Sequence, residues 1–255
     1  MATVAIGDIH GNLPALADLL AKLRDSIGAG DTVVFLGDYI DRGPDSRACI
    51  DAILDFRHES RAKVVCLQGN HEDWLLRTQA DYSKHSWLIG MEALDTVRSY
   101  SAEAEHTLRE AIAEAGLKLF EGKYALPYEA FFDAMPASHR EFFAQLTLSV
   151  ETEDCICSHA GVDPQVASLS EQPPQTLIWG HRSFPDDYAG TTPIVYGHWN
   201  NAVLGDKRWP APRIVGNTIG IDTISHGVLT AIRMPDRRVF QSARHSVSDG
   251  GRSHG

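Results

Sequence analysis

The chain has 255 residues, 43% of them hydrophobic and 22% charged, so it can bury a sizeable core and does not have the composition of a disordered protein. Its formal net charge of −11 argues against a broad nucleic-acid-binding face, which would show as basic surface, and leaves room only for a local anion site. No apolar run is long enough to span a bilayer and no basic leader precedes an apolar core, so the expectation is an unprocessed cytoplasmic protein with no membrane partner.

In chain order, Val4-Ala5-Ile6 reads as a buried strand that runs into Gly7-Asp8-Ile9-His10-Gly11-Asn12. Leu13, Leu16, Leu19, Leu20 and Leu23 then repeat at helical spacing, with Asn12 as cap and Pro14 in the first turn. Gly28 and Gly30 break that helix. A second apolar strand, Val33 to Leu36, ends in Gly37-Asp38-Tyr39-Ile40-Asp41-Arg42-Gly43, and Pro44 opens a second helix through Ile50, Ile53, Leu54 and Phe56. A third strand, Val64 to Leu67, ends in Gly69-Asn70-His71-Glu72, where a third helix begins. Strands alternating with helices imply right-handed crossovers and a largely parallel arrangement, with ligands gathered beyond the carboxyl ends of the strands.

Residues from about 82 to 148 read as a mostly helical, aromatic-rich insert that either packs or caps a site. A strand from Asp154 to Ser158 then ends in His159-Ala160-Gly161, and Ile194-Val195-Tyr196 ends in Gly197-His198. Short strands around Ile214, Ile221, Val228 to Ile232 and Val239 follow the pattern of antiparallel β structure. The expected fold class is α/β: two sheets packed on each other and flanked by helices, one domain over residues 1–242, with a disordered tail over 243–255. Cys49, Cys66, Cys155 and Cys157 fit a reducing compartment; Cys155 and Cys157 share a strand face, but no second pair completes a zinc site.

Carboxylates delivered by buried strands are costly in low dielectric unless something positive sits among them, and a pair of divalent metal ions is the simplest answer. Oxygen and imidazole ligands without thiolate suit manganese, iron, zinc or magnesium. A two-metal phosphoesterase needs one bridging ligand, which Asp38 can provide; Asp8 and His10 then face one ion, and Asn70, His159 and His198 complete the other. His71, beside Asn70, is placed to protonate a leaving oxygen, Asp41 to orient that imidazole, and Arg42 to grip phosphate with its planar fork. Taken singly, His198 reads as a satisfied histidine, Asp8 or Asp38 as a helix cap, and Asn70 as a turn residue. The five motifs together outweigh those readings.

These motifs resemble the phosphoprotein phosphatase family of calcineurin-like metallophosphoesterases, in that family's order, and a weaker similarity to its short bacterial members extends through Trp87 to Tyr100, His139 to Leu146 and Ile221 to Ile232. The resemblance implies a β-sandwich with flanking helices, a dinuclear site usually served by manganese or by iron and zinc, and hydrolysis in one step. It supports the metal, acid and phosphate roles given above, with Asn70 also facing substrate. The rim departs from the pattern. Gln68 stands where arginine is common, His181 and Arg182 follow Trp179 in place of a second phosphate-gripping arginine, Trp199 replaces threonine, and the usual Asp-Thr-Gly reads Asp222-Thr223-Ile224-Ser225-His226. His181, Arg182 and His226 are candidate phosphate contacts left open.

The first functional expectation is a manganese-dependent phosphomonoesterase acting on phosphoserine or phosphothreonine in proteins. The alternative is a hydrolase of symmetrical dinucleoside tetraphosphates or other small phosphoesters, with Trp199, Trp179 and the aromatic insert available to stack a base. A binding module without chemistry would have lost a ligand or His71, and both are kept.

Overall fold

The structure, a computed structural model, describes residues 1–200, 203–204 and 209–245. Most of the expected tail, from residue 246, lies outside the described residues. Just before it, the backbone N–H of His245 donates to Gly227 and its carbonyl accepts from Asn12.

The first half runs β1 (Thr3–Ile6), α1 (Leu13–Leu23), β2 (Thr32–Phe35), α2 (Ser46–Glu59), β3 (Lys63–Cys66) and α3 (Asn70–Ala80). A helical stretch follows: α4 (Ser86–Gly90), α5 (Leu94–Tyr100), α6 (Ala102–Ala115), α7 (Glu129–Ala134) and α8 (Ala137–Ala144). Then come β4 (Ser149–Glu151), β5 (Ile156–Ser158), α9 (Pro174–Trp179) and β6 (Ile194–Tyr196). The chain finishes with β7 (Val203–Leu204), β8 (Pro210–Ala211), β9 (Arg213–Val215), β10 (Thr218–Gly220), β11 (Thr230–Met234) and β12 (Arg238–Gln241).

These strands form two five-stranded sheets, ordered β12-β11-β1-β2-β3 and β4-β5-β6-β10-β9, with β7 and β8 paired separately. Strands β1, β2 and β3 run parallel, as do β5, β6 and β10, while the outer strands pair antiparallel. The period-two alternation of a strand explains the layering. Ala5, Val34, Ile232 and Met234 of the first sheet point inward and meet Cys155, Cys157, Val195 and Ile219 of the second, forming the sandwich core. Val4, Ile6, Val33 and Phe35 point the other way, onto Leu16, Leu19, Ile50 and Ile53 of α1 and α2.

The helical stretch between α3 and β4 packs into this same outer layer. Trp87, Val97, Tyr100, Phe131 and Phe142 belong to one continuous apolar cluster with α1 and α2, and Phe142 meets Tyr39 edge to face at 5.3 Å. A polar chain that runs from the interior to the surface adds a tie: Tyr100 hydroxyl to His139 Nδ1 at 2.7 Å, and His139 Nε2 to the exposed Asp51 at 2.9 Å, linking α5, α8 and α2.

Several boundaries differ from expectation: β5 starts at Ile156 rather than Asp154, and β11 spans Thr230–Met234 rather than Val228 to Ile232. Helix α2 starts at Ser46 rather than Pro44, because Asp41 and Arg42 both adopt left-handed backbone (φ 70° and 66°) and turn the chain before it can coil. Strand β10 stops at Gly220, so Asp222 lies in the loop beyond it. No helix among the described residues is long and apolar enough to cross a membrane.

Candidate active site

Parallel strands in both sheets end at one edge of the sandwich, and each end carries a functional group. Asp8 and His10 follow β1, Asp38 follows β2, Asn70 follows β3, His159 follows β5 and His198 follows β6. The backbone there is bent hard: His10, Asp38, Asp41, Arg42 and His198 all have positive φ, between 46° and 70°. Such conformations cost non-glycine residues energy and collect at functional sites, where the surrounding fold holds them in place. Here the Asp38 carbonyl accepts from Ile9 and His10 N–H, and Glu72 accepts from Asp38, Tyr39 and Gly69 N–H at 2.9 to 3.0 Å.

Hydrogen bonds behind the imidazoles set which nitrogen faces the centre. His10 Nδ1 donates to the Ile40 carbonyl at 3.0 Å and His159 Nδ1 to the Leu36 carbonyl at 2.9 Å, so both Nε2 atoms carry lone pairs inward. His159 Nε2 then sits 3.0 Å from Asn70 Oδ1 and 3.4 Å from Asp38 Oδ1, and His198 Nδ1 sits 2.9 Å from Asn70 Oδ1. Lone pairs converging at this range are repulsive without a cation between them. Two groups of side chains bring their polar atoms within the range an ion could share, His10 with Asp38, beside the imidazole of His71, and Asp38 with His159 and His198; Asp38 is common to both. The residues therefore fit a pair of divalent ions, which Asp38, as the member common to both groups, would help to hold. Asp8 lies at the same edge, its carboxylate accepting from His198 N–H at 3.0 Å.

Electrostatics separate the histidines by role. Burial first, then the neighbouring His71, hold His10 well below the usual histidine value; burial lowers His159, and burial with His159 brings His198 to about 3. Lowered pKa values favour the neutral imidazole, the form that can offer a lone pair, in all three. His71 differs, because Asp38 and Asp41 outweigh burial and raise its pKa. Burial is also the largest influence on Asp38, but the four surrounding imidazoles outweigh it and keep that carboxyl ionised. Burial, then Asp222 and Asp38, push Asp8 upward, as expected of a carboxylate among carboxylates.

His71 Nδ1 contacts Asp41 Oδ2 at 2.7 Å, and its Nε2, buried and without a partner among the described residues, lies 3.8 Å from Asp38 Oδ2. Arg42 is exposed, with its Nη1 3.0 Å from His10 Nε2, so its guanidinium reaches the centre from the solvent side. Among the described residues no hydrogen bond joins the remaining candidates to the centre. His181 faces Asp163 at 3.9 Å, Arg182 is exposed, and His226 makes no hydrogen bond to the centre among the described residues. Trp179 is tied to Asp73 at 2.9 Å and tilted against Trp74, as a packing residue would be.

Four residues at the site went unassigned in the sequence. Glu72 organises two of the loops; Asp222 is 3% exposed with one oxygen unpartnered and the other accepting from Asn200 N–H at 2.7 Å. Trp87 and Thr96 both reach Asp41. The available signal was the weaker similarity across Trp87 to Tyr100, which carried no chemistry until the fold brought it to Asp41.

A dinuclear centre at the strand ends of a two-sheet sandwich defines a metal-dependent phosphoesterase. A model of the calcineurin-like phosphoesterase family matches residues 1–226, and the chain belongs to that family. Among its relatives, an asymmetrical bis(5'-nucleosyl)-tetraphosphatase PrpE of Oceanobacillus iheyensis is 27% identical over 265 residues, covering 93% of this chain and 90% of the relative. A symmetrical bis(5'-nucleosyl)-tetraphosphatase of Pectobacterium carotovorum subsp. carotovorum is 27% identical over 294 residues, covering 100% and 99%. In fold, the crystal structure of a candidate diadenosine tetraphosphatase aligns with a TM-score of 0.60 at 18% identity, covering 94% of this chain and 92% of that one.

Proposed function

We propose that the chain hydrolyses dinucleoside tetraphosphates, the reading its full-length relatives support over the phosphoprotein alternative. The observation that carries it is Trp199. Its indole N–H donates to the Ala160 carbonyl at 3.1 Å, its ring lies against Gly180 and meets His198 edge to face at 4.8 Å, yet the residue is 39% exposed. A flat apolar surface fixed beside a candidate ligand suits a nucleobase, and stacking of this kind is worth about 1–3 kcal/mol per base.

A bound pair of divalent ions supplies positive charge that acidifies a water molecule and offsets the charge of phosphate oxygens. Manganese is the ion proposed, on a donor set of oxygen and imidazole without thiolate. Arg42 offers two parallel N–H donors to the scissile phosphate. As water adds to phosphorus and the bond to the leaving oxygen breaks, His71 Nε2 gives its proton to that oxygen, with Asp41 holding the imidazole. Free, buried cysteines support a cytoplasmic setting.

Product analysis of the manganese-loaded protein, given a dinucleoside tetraphosphate and a phosphothreonine peptide in parallel, tests this. The expected outcome is nucleotide release: diphosphates alone for a cut at the β phosphorus, mono- and triphosphate for a cut at the α phosphorus. Phosphate from the peptide with no cleavage of the dinucleotide would return the assignment to a protein phosphatase. In the same assay Trp199→Ala should raise KM for the dinucleotide about tenfold and leave a base-free phosphoester unaffected.

A further inference from the structure

Asp41 is fully buried, and three side-chain donors close on its two oxygens. Oδ2 takes His71 Nδ1 at 2.7 Å and Trp87 Nε1 at 2.9 Å; Oδ1 takes Thr96 Oγ1 at 2.6 Å and, more weakly, Trp87 Nε1 at 3.2 Å. The Thr96 hydroxyl has one proton, and its direction is set. Thr96 Oγ1 accepts from the backbone N–H of Asp41 at 2.8 Å, and Ser46 Oγ lies 3.0 Å away, able to donate to it. The proton of Thr96 therefore goes to Asp41. An indole N–H has no acceptor capacity, so Trp87 can only donate. Asp41 is left as an acceptor on every side, and His71 Nδ1 must be the hydrogen-bearing nitrogen facing it.

Both outer donors come from the helical stretch between α3 and β4, Trp87 on α4 and Thr96 on α5. Their burial is complete or nearly so, at 0% and 1% exposure. Packing alone accounts for the Trp87 ring, which tilts against Phe131 at 5.3 Å, but not for an indole N–H aimed at the carboxylate behind the acid.

We infer that Trp87 and Thr96 are positioning residues for the proton-donating pair, saturating the Asp41 carboxylate so that it holds His71 with Nδ1–H outward and Nε2 aimed at the leaving oxygen. The first two helices of the insert are then part of the catalytic apparatus rather than a cap alone. This rests on the reading of His71 as the proton donor. In the step itself the bond from phosphorus to the leaving oxygen breaks and the Nε2 proton moves to that oxygen; Trp87 and Thr96 exchange nothing with substrate.

The test uses Trp87→Phe and Thr96→Val, which remove one donor each, the second without a change of shape, with Thr96→Ser as the conservative rescue and His71→Asn as reference. Turnover is measured on phenyl phosphate, whose leaving group needs a proton, and on 2,4-dinitrophenyl phosphate, whose leaving group does not. General-acid contributions of about 100-fold or more set the scale, so partial misalignment should cost about tenfold on phenyl phosphate and under about threefold on the activated ester. KM and bound metal should stay unchanged, and Thr96→Ser should recover most of the loss. Equal losses on both esters in Trp87→Phe and Thr96→Val, with His71→Asn still selective, would overturn the positioning role. Should His71→Asn itself show equal losses, the proton-donor reading fails instead. A second readout then decides the geometry: in zinc-loaded protein labelled with nitrogen-15 histidine, the His71 Nδ1–H signal should exchange faster in Trp87→Phe and Thr96→Val, and an unaltered signal in both would overturn the inference.

Discussion

Histidines at this site are tuned in two directions because their surroundings differ. His10 and His159 spend Nδ1–H on backbone carbonyls and burial lowers their pKa, whereas for His71 the carboxylates of Asp38 and Asp41 outweigh burial and raise it. Burial first raises the pKa of Asp222 from 3.8 to about 6, with the Asp38 charge adding to the effect. A carboxyl raised on folding costs stability wherever it is ionised in both states, so in metal-free protein the cost is fully present above about pH 6 and fades as pH falls toward 3.8. Asp222→Asn should accordingly stabilise the chelated protein at pH 7.5 by up to about 3 kcal/mol, and by far less at pH 4. Thermal melts of both proteins in chelator at the two pH values check this. A gain that is equal at both would mean Asp222 is not the titrating group.

At the scale of elements, the strand-to-loop turns carry the design. A turn that leaves a buried strand and reverses within a few residues forces left-handed backbone on Asp38 and His198, and glycines flank these positions because nothing larger fits. A Cβ on Gly197 would stand 1.9 Å from Asp8 Oδ1, and one on Gly69 would stand 2.1 Å from Asp38 Oδ1. Gly197→Ala should therefore displace Asp8 and weaken metal binding at least about tenfold with little loss of secondary structure. Gly28→Ala, where the nearest neighbour is 3.6 Å away, is the matched control. Metal titration by calorimetry with circular dichroism separates the two outcomes. Most of this level was legible beforehand: leucine spacing marks α1, and apolar runs ending in Gly-Asp or Gly-Asn mark the strand ends. The bounds of α2 and β10 were not, because the local backbone of Asp41 and Arg42 and the end of β10 depend on partners elsewhere in the chain.

Over the whole molecule, two sheets built from distant parts of the sequence bring their parallel strand ends to one edge, gathering Asp8, Asp38 and Asp222 into a small volume. Cations that bind only the folded chain stabilise it by mass action, about 2.7 kcal/mol at a hundredfold excess over Kd. Chelation should lower the melting temperature by about 5–10 °C and added manganese should restore it, as read by scanning fluorimetry. No shift on chelation would argue against a built metal centre. Candidate ligands could be named from the chain alone, because Asp, His and Asn at the ends of apolar runs are a chemical pattern that local sequence carries. The apolar runs alternating with helical spacing, and the short strands split by turn residues, likewise pointed to two packed sheets with helices outside. What only the tertiary structure decided was which groups meet: Asp222 beside Asp8 and Asp38, His181 beside Asp163, and Trp87 and Thr96 behind Asp41. Those pairings join residues up to some 190 positions apart, such as Asp8 and His198, and depend on sheet register and helix packing, which no local run of sequence encodes.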